Sequence, residues 1–313
     1  MEKITSYFYR LGGLFILSEF PLPGLAMLPP QTPDITIRLG IPPFPDAMRD
    51  AREIEPGCLA TPNEYLHTFP GIVTFYVHGG KEIVVQPLDS SRLKELHSLL
   101  YSVVFAVVCH RRGMVPLHAS AVAVEGRIFG FLGRSGAGKS TLAAHLERRG
   151  YQVTADDLLL LNRSEQGVTR VTPCAPWLKL WEDAFDGIGK QTEGMEPIAG
   201  KDSKFVVPLP QGLPEEPLPL AALFVLESHG DSEIEITRLE PAAAVAKLIL
   251  YVYPILLIHK LGQTAALFQQ CAEVLKNVQV FTFSRPWDPD RFDEVLDRLE
   301  EKFSEIAVQH PQR

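Results

Sequence analysis

Cysteine is scarce in this chain: four residues in 313, at Cys58, Cys109, Cys174 and Cys271. They lie far apart and form no CxxC pair, which excludes a disulfide-stapled fold and argues against a thiolate zinc site. Reduced thiols in a cytoplasmic protein are the expectation. Positive charge is also in short supply, with 30 Lys and Arg against 38 Asp and Glu and a net charge of -8. Such a balance offers no general attraction to nucleic acid or to an anionic membrane, and neither is expected as a partner. No apolar run reaches the roughly 20 residues that a membrane-spanning helix needs. The longest, "LLYSVVFAVVC" from Leu99 and "VAKLILYVYPILLI" from Val245, read as buried helices, and Lys247 and Pro254 interrupt the second. At the N-terminus, Glu2 and Arg10 interrupt "MEKITSYFYRLGGLFIL", which lacks a small-residue cleavage site and reads as a strand rather than a signal peptide. There is no internal repeat and no low-complexity tract.

What is present is a hydrophobic fraction of 46 %, enough to fill a sizeable core. Up to about residue 90, short strand-like runs alternate with proline-rich connections such as "LPPQTP" and "IPPFP". "IVTFYVH" and "KEIVVQP" flank Gly79-Gly80, a pair that predicts a hairpin because glycine accepts positive φ at both central turn positions. A helix follows over "SSRLKELHSLLYSVVFAVVCHRRG", capped by Ser90 or Ser91, with Arg111 and Arg112 at its end and Gly113 as its stop. We therefore divide the chain into a β-rich N-terminal domain, 1–90, and a second domain, 91–313.

The second domain opens on "LHASAVAVEGRIFGFLG", two β runs joined by Glu125-Gly126, so an antiparallel hairpin precedes the glycine loop that follows. "YQVTADDLLLLN", "VTRVTP", "AALFVLES" and "EIEITRL" read as further strands, the last two around His229-Gly230-Asp231. Helices are expected over Pro241–Leu257 and Thr264–Val278, then a strand "VQVFTFS" and an amphipathic helix from about Pro289 to Ile306. Trp177, Trp181 and Phe185 recur every fourth residue, which predicts one face of a helix. The fold class expected is α/β with a mixed sheet.

"GRSGAGKST" fills the pattern GxxxxGK[ST] between an apolar strand and the helical "STLAAHLERRG". Successive backbone N–H groups from Gly133, Arg134, Ser135, Gly136, Ala137 and Gly138 turn toward phosphate oxygens in such a loop. Lys139 reaches the β- and γ-phosphates, Ser140 offers a hydroxyl to Mg²⁺, and Thr141 continues the helix N-terminus. ATP and Mg²⁺ are the ligands expected. No LSGGQ-like signature and no NKxD motif accompanies the loop, which disfavours an ABC-type ATPase and a GTPase.

Asp156 and Asp157 end the strand that begins after Gly150. Adjacent side chains on a strand point to opposite sides, so both carboxylates face the phosphates only if the chain bends there. Either carboxylate can hold Mg²⁺ together with Ser140, and in a kinase the remaining one accepts the proton of an attacking hydroxyl. In the expected hairpin the start of the first strand pairs with the end of the second, which brings His118 near the glycine loop, where it contacts a phosphate or pairs with an aspartate.

The ordered set "LHASAVAV", "GRSGAGKST" and "RGYQVTADD" resembles the HPr kinase/phosphorylase superfamily, whose fold is shared with phosphoenolpyruvate carboxykinase. By that resemblance His118, Lys139, Ser140, Asp156 and Asp157 line the active site, with Asp157 our choice for the base and Asp156 for Mg²⁺ beside Ser140. The family's downstream "RGLG"-type signature is replaced here by "PWLKLWEDAFDGIG", so HPr itself is not the expected substrate. "YRLGGLFILSEFPLPGL" is similar to the HPr-kinase-related proteins encoded beside lasso-peptide genes, which phosphorylate a serine of a ribosomally made precursor. The resemblance implies an ATP-dependent serine kinase acting on a peptide. Since the family includes hexamers, a homo-oligomer is a further expectation. Lys179, Lys201, Lys204 and Arg285 are candidate additional cations for the transferring phosphoryl group, Lys204 and Arg285 foremost. Two other readings share these motifs: a nucleotide-binding switch or scaffold that modifies nothing, and a small-molecule kinase.

Overall fold

The computed structural model describes residues 6–43, 48–174, 176–189, 191–193, 195, 197–198, 201–209, 212–214, 216–227 and 233–309. The expected turn at His229-Gly230-Asp231 and the side chain of Lys201 lie outside the described residues. By contact the chain forms two compact units, one of residues 1–116 with 197–202 and 253–267, the other of 117–196, 203–252 and 268–313.

In the first unit eight short strands make one mixed sheet. They are β1 (Tyr7–Leu11), β2 (Leu14–Ser18), β3 (Ile35–Leu39), β4 (Arg52–Glu55), β5 (Cys58–Ala60), β6 (Glu64–Phe69), β7 (Val73–His78) and β8 (Glu82–Pro87). Their order is β1-β2-β3-β8-β7-β6-β5-β4, with β3 parallel to both β2 and β8. The β7–β8 hairpin turns at Gly79 and Gly80, both with positive φ (55° and 66°), as the sequence predicts. The helix after the sheet comprises α1 (Leu93–Leu99), a π turn at Leu100–Val104 and α2 (Phe105–Arg111). A 3₁₀ turn, Ser90–Arg92, leads into it and is capped by Asp89, whose carboxylate accepts from Ser91 N–H, and not by Ser90 or Ser91. A carboxylate there is both an acceptor and a negative charge at the positive end of the helical segment. By length and composition alone Ser90–Arg111 is a helix able to cross a membrane. Leu96, Leu100 and all of Val104–Cys109 are buried within the protein.

The second unit is mixed α/β. After the short β9 (Val115–Leu117) come β10 (Ala119–Val124) and β11 (Arg127–Leu132), an antiparallel hairpin turned by Glu125 and Gly126 at φ 48° and 73°. Then follow α3 (Lys139–Arg148), β12 (Gln152–Ala155), β13 (Leu159–Arg163), β14 (Thr169–Thr172), β15 (Trp177–Trp181) and α4 (Asp183–Ile188). In chain order β16 (Pro197–Ile198), β17 (Lys201–Pro208), β18 (Leu218–Leu226), β19 (Glu235–Arg238), α5 (Pro241–Ile249), α6 (Ile255–Lys260), α7 (Thr264–Val274), β20 (Gln279–Ser284) and α8 (Phe292–Gln309) follow, of which β16, α6, the start of β17 and the start of α7 belong to the first unit. The sheet runs β12-β10-β11-β18-β14-β13, and β18 lies parallel to β11 and to β20. Helix α8 covers it with Val295, Leu296, Leu299, Phe303 and Ile306, a helical stripe whose Phe303 ring sits 4.4 Å from that of Phe129.

Three expectations need correction. Trp177 and Trp181 belong to a strand paired antiparallel with β17, while Phe185 lies on α4, because a spacing of four residues repeats a strand face as well as a helix face. The helix expected over Pro241–Leu257 stops at Ile249, since Pro254 lacks an N–H and disfavours helical backbone at the residue before it. "YQVTADDLLLLN" is two strands, β12 and β13, separated at the two aspartates.

Candidate functional site

The hairpin register sets the site. Ala119 pairs with Leu132, so His118 stands at the level of Gly133, where β11 enters the glycine loop. That loop ends in α3, whose N-terminal backbone N–H groups and dipole make an anion site. Lys139 is buried, and its Nζ donates to the carbonyl oxygens of Gly133 (2.8 Å) and Arg134 (3.1 Å). Burial lowers its pKa to about 8 against the opposing pull of Asp156 and Asp157, and nearby Lys204 lowers it further.

Gly138 caps α3 with φ 80°, and a Cβ there would lie 2.6 Å from Arg285 Nη2 and 2.7 Å from the Trp287 ring. Two separate reasons therefore demand glycine: a left-handed backbone and the close approach of two side chains. Gly138→Ala is expected to cost about 1–3 kcal/mol in chemical denaturation and to weaken nucleotide binding, because Arg285 or the loop must move.

The strand β12 ends at Ala155, and the chain bends at Asp157, which has φ 71°. A non-glycine residue in that region is strained, and such strain gathers at functional sites. The bend brings both carboxylates to Lys179. Asp156 Oδ2 accepts the Lys179 backbone N–H at 2.7 Å, and Asp157 Oδ2 accepts its ammonium Nζ, also at 2.7 Å. Asp156 Oδ1 additionally accepts from Ser120 Oγ at 2.6 Å and Ser140 Oγ at 2.8 Å. Burial, and to a lesser degree the charge of Asp157, raises the Asp156 pKa, which the three hydrogen bonds only partly oppose, so the uncharged form is favoured there unless a positive charge compensates. A carboxylate joined to a hydroxyl is a hard-oxygen donor pair of the kind Mg²⁺ takes, and the residues fit that ion.

Asp157 is set differently. Its Oδ1 lies 3.3 Å from His118 Nδ1, and its backbone oxygen lies 3.2 Å from the same nitrogen. Burial would raise its pKa, but the His118 hydrogen bond and the charge of Lys179 outweigh it and hold the carboxyl well below the ordinary range. The two aspartates thus differ: Asp156 is fully buried among hydrogen-bond donors, and Asp157 is held ionised and partly exposed.

Among the described residues Arg285 is the largest fully buried side chain, 1 % exposed. Its Nη2 donates to Ala137 O at 3.2 Å, whereas Nε and Nη1 have no hydrogen-bond partner among the described residues. Burial lowers its pKa to about 10. A buried guanidinium with unused donors against a glycine loop is poised for an anion. Lys204 is half-buried with its ammonium 5.5 Å from the centre of the Trp181 ring.

No protein-family model matches the chain, and no curated protein matches it. Among solved structures it is similar to an Hpr(Ser) kinase/phosphatase from Coxiella burnetii, with TM-score 0.33 and 11 % identity over 60 % of this chain and 98 % of that one. A likeness at that level carries no argument about chemistry.

The structure brings His118, Lys139, Ser140, Asp156 and Asp157 to one end of the sheet, with Arg285 behind the loop. One partner stands out only in three dimensions: Ser120 binds Asp156 from the neighbouring strand, a signal visible in sequence only as a small polar residue two places after His118. Lys179, a candidate cation in the sequence for its place in the apolar run "WLKLW", is buried, with its backbone N–H on Asp156 and its ammonium on Asp157.

Proposed function

We propose that this protein is an ATP-dependent kinase that transfers the γ-phosphoryl group to a serine hydroxyl of a peptide, with lasso-peptide precursors as the leading acceptors. The observation that carries the reading is the division of labour between the aspartates: Asp156 tied to Ser140 of the glycine loop, Asp157 tied to His118 and Lys179. The motif order that resembles the HPr kinase/phosphorylase superfamily supports the kinase, and the similarity of "YRLGGLFILSEFPLPGL" to the lasso-peptide kinases supports the choice of acceptor.

In this mechanism the loop amides, Lys139 and Arg285 hold the triphosphate of ATP, and Ser140 with Asp156 holds Mg²⁺. The ion, when bound, neutralises charge on the transferring group. Asp157 accepts the hydroxyl proton as the serine oxygen bonds to the γ-phosphorus and the bond to the β–γ bridging oxygen breaks, releasing ADP. His118 and Lys179 fix the orientation of the Asp157 carboxylate. Proximity and charge stabilisation supply most of the rate.

The experiment is intact-mass spectrometry of serine-ending precursor peptides after incubation with protein, ATP and Mg²⁺. A gain of roughly 80 Da on the peptide supports the kinase. Measurable ATP binding with no gain on any peptide favours a switch or a metabolite acceptor.

Lys179→Met separates the ion pair from the fold. Without the ammonium the Asp157 pKa rises, so the carboxylate is protonated at higher pH and the acid limb of the kcat/KM profile moves toward neutrality. The turnover is expected to fall about ten- to a hundredfold. An unmoved acid limb would remove Lys179 from the positioning of the base. The same pair contributes stability above the unfolded carboxyl pKa of about 3.9, which is lost as pH falls further.

A further inference from the structure

Helix α3, α4, the segment Trp287–Pro289 and the start of α8 enclose a cleft of about 490 Å³ whose lining does not include Asp156 or Asp157. Thr141, His145, Asp183, Trp287 and Phe292 line it. Its size falls in the range of small-ligand sites. Three observations tie it to the phosphate loop. Thr141 belongs to both, being the third residue of α3 and part of the cleft wall. The Trp287 ring lies against Gly138, close enough that a Cβ there would sit 2.7 Å from it. Arg285, which binds the loop carbonyl of Ala137, stacks at 5.3 Å on the Trp287 ring and at 5.6 Å on that of Phe292.

The walls suit a flat aromatic ligand. Trp287 is 50 % exposed although it is a large aromatic side chain on a well-packed unit. Phe292 packs at 4.0 Å on the His145 imidazole. Burial and the cations Arg148, Arg285 and Arg149 lower the His145 pKa to about 4 against Asp293, so the ring is neutral at pH 7. Gly187 leaves room for it, since a Cβ there would lie 2.9 Å from His145 Nε2.

We propose that this cleft holds the nucleobase of the donor nucleotide, stacked on the exposed face of Trp287. The inference rests on the kinase reading and deepens it: a nucleotide with its phosphates along residues 133–140 leaves the loop at Thr141, and the first wall its base meets is Trp287. An acceptor peptide is the other candidate occupant, but it must present its hydroxyl at Asp157, and the cleft opens beside the helix that carries Thr141.

Calorimetric binding of ATP and of inorganic tripolyphosphate, each with Mg²⁺, tests this. The proteins compared are the wild type, Trp287→Ala, Trp287→Phe and Lys139→Met. Trp287→Ala is expected to weaken ATP about tenfold or more while leaving tripolyphosphate unchanged, and Trp287→Phe to restore most of the loss. Equal weakening of both ligands, or wild-type protein binding tripolyphosphate as tightly as ATP, overturns the nucleobase assignment while the phosphate loop stands. Unchanged ATP affinity with a raised KM for the peptide gives the cleft to the acceptor. A wild type that binds neither ligand removes the kinase reading itself, an outcome distinct from the others because Lys139→Met then changes nothing.

Discussion

Asp157→Asn is expected to lower the rate of phosphoryl transfer by about two to four orders of magnitude while leaving nucleotide affinity within a fewfold of the wild type. The side chain keeps its size, so its contacts with His118 and Lys179 can be kept in part, but an amide takes no proton. The same change at Asp156 predicts a different pattern. That carboxylate accepts three hydrogen bonds inside the protein, and its loss should reduce stability and Mg²⁺ dependence together. Single-turnover transfer measured beside equilibrium ATP binding distinguishes them. Full transfer by the Asp157 variant would exclude that residue as the base.

Lys139→Met carries the second large effect, in opposite directions for function and for stability. Transfer is expected to fall by about two to three orders of magnitude, because the proposed mechanism relies on this ammonium to meet the β- and γ-phosphates. The nucleotide-free protein is nonetheless expected to become more stable at pH 7, by on the order of 1 kcal/mol. The native pKa is lowered from 10.5 to about 8, so below pH 8 the folded state carries a charge that it holds less favourably than the unfolded chain does. As pH rises from 8 toward 10.5 the native protein sheds that proton first and gains stability; the methionine variant lacks this rise. Chemical denaturation at pH 7 and pH 9.5 reads both statements. A variant less stable than the wild type at pH 7 would show that the two loop hydrogen bonds of Lys139 outweigh its burial.

The parts of this protein that were legible in its sequence are local ones. Gly79-Gly80 and Glu125-Gly126 turn their hairpins where expected, because a two-residue turn depends on φ preferences of the turn residues themselves. Strand β11, the glycine loop and α3 follow one another without interruption, so their pattern is written in consecutive residues. Where a pattern admitted two periods, reading failed. Trp177 and Trp181 fit a helix face and a strand face equally, and only the partner β17 decided between them. Alternation along a strand puts both carboxylates on one side only if the chain bends at the pair, and the backbone makes that bend at Asp157 with a left-handed residue that no propensity scale favours.

By itself, then, the sequence determined which residue types gather at the phosphate loop and which short turns and helix stops shape the chain, since these act over a few residues. What only the tertiary structure decided is how each charge is partnered. Lys179 reaches Asp157 across 22 residues and Arg285 reaches Ala137 across 148. Burial and the distance between charges set whether a side chain is a solvated lysine or a fixed cation, and both are properties of the folded chain.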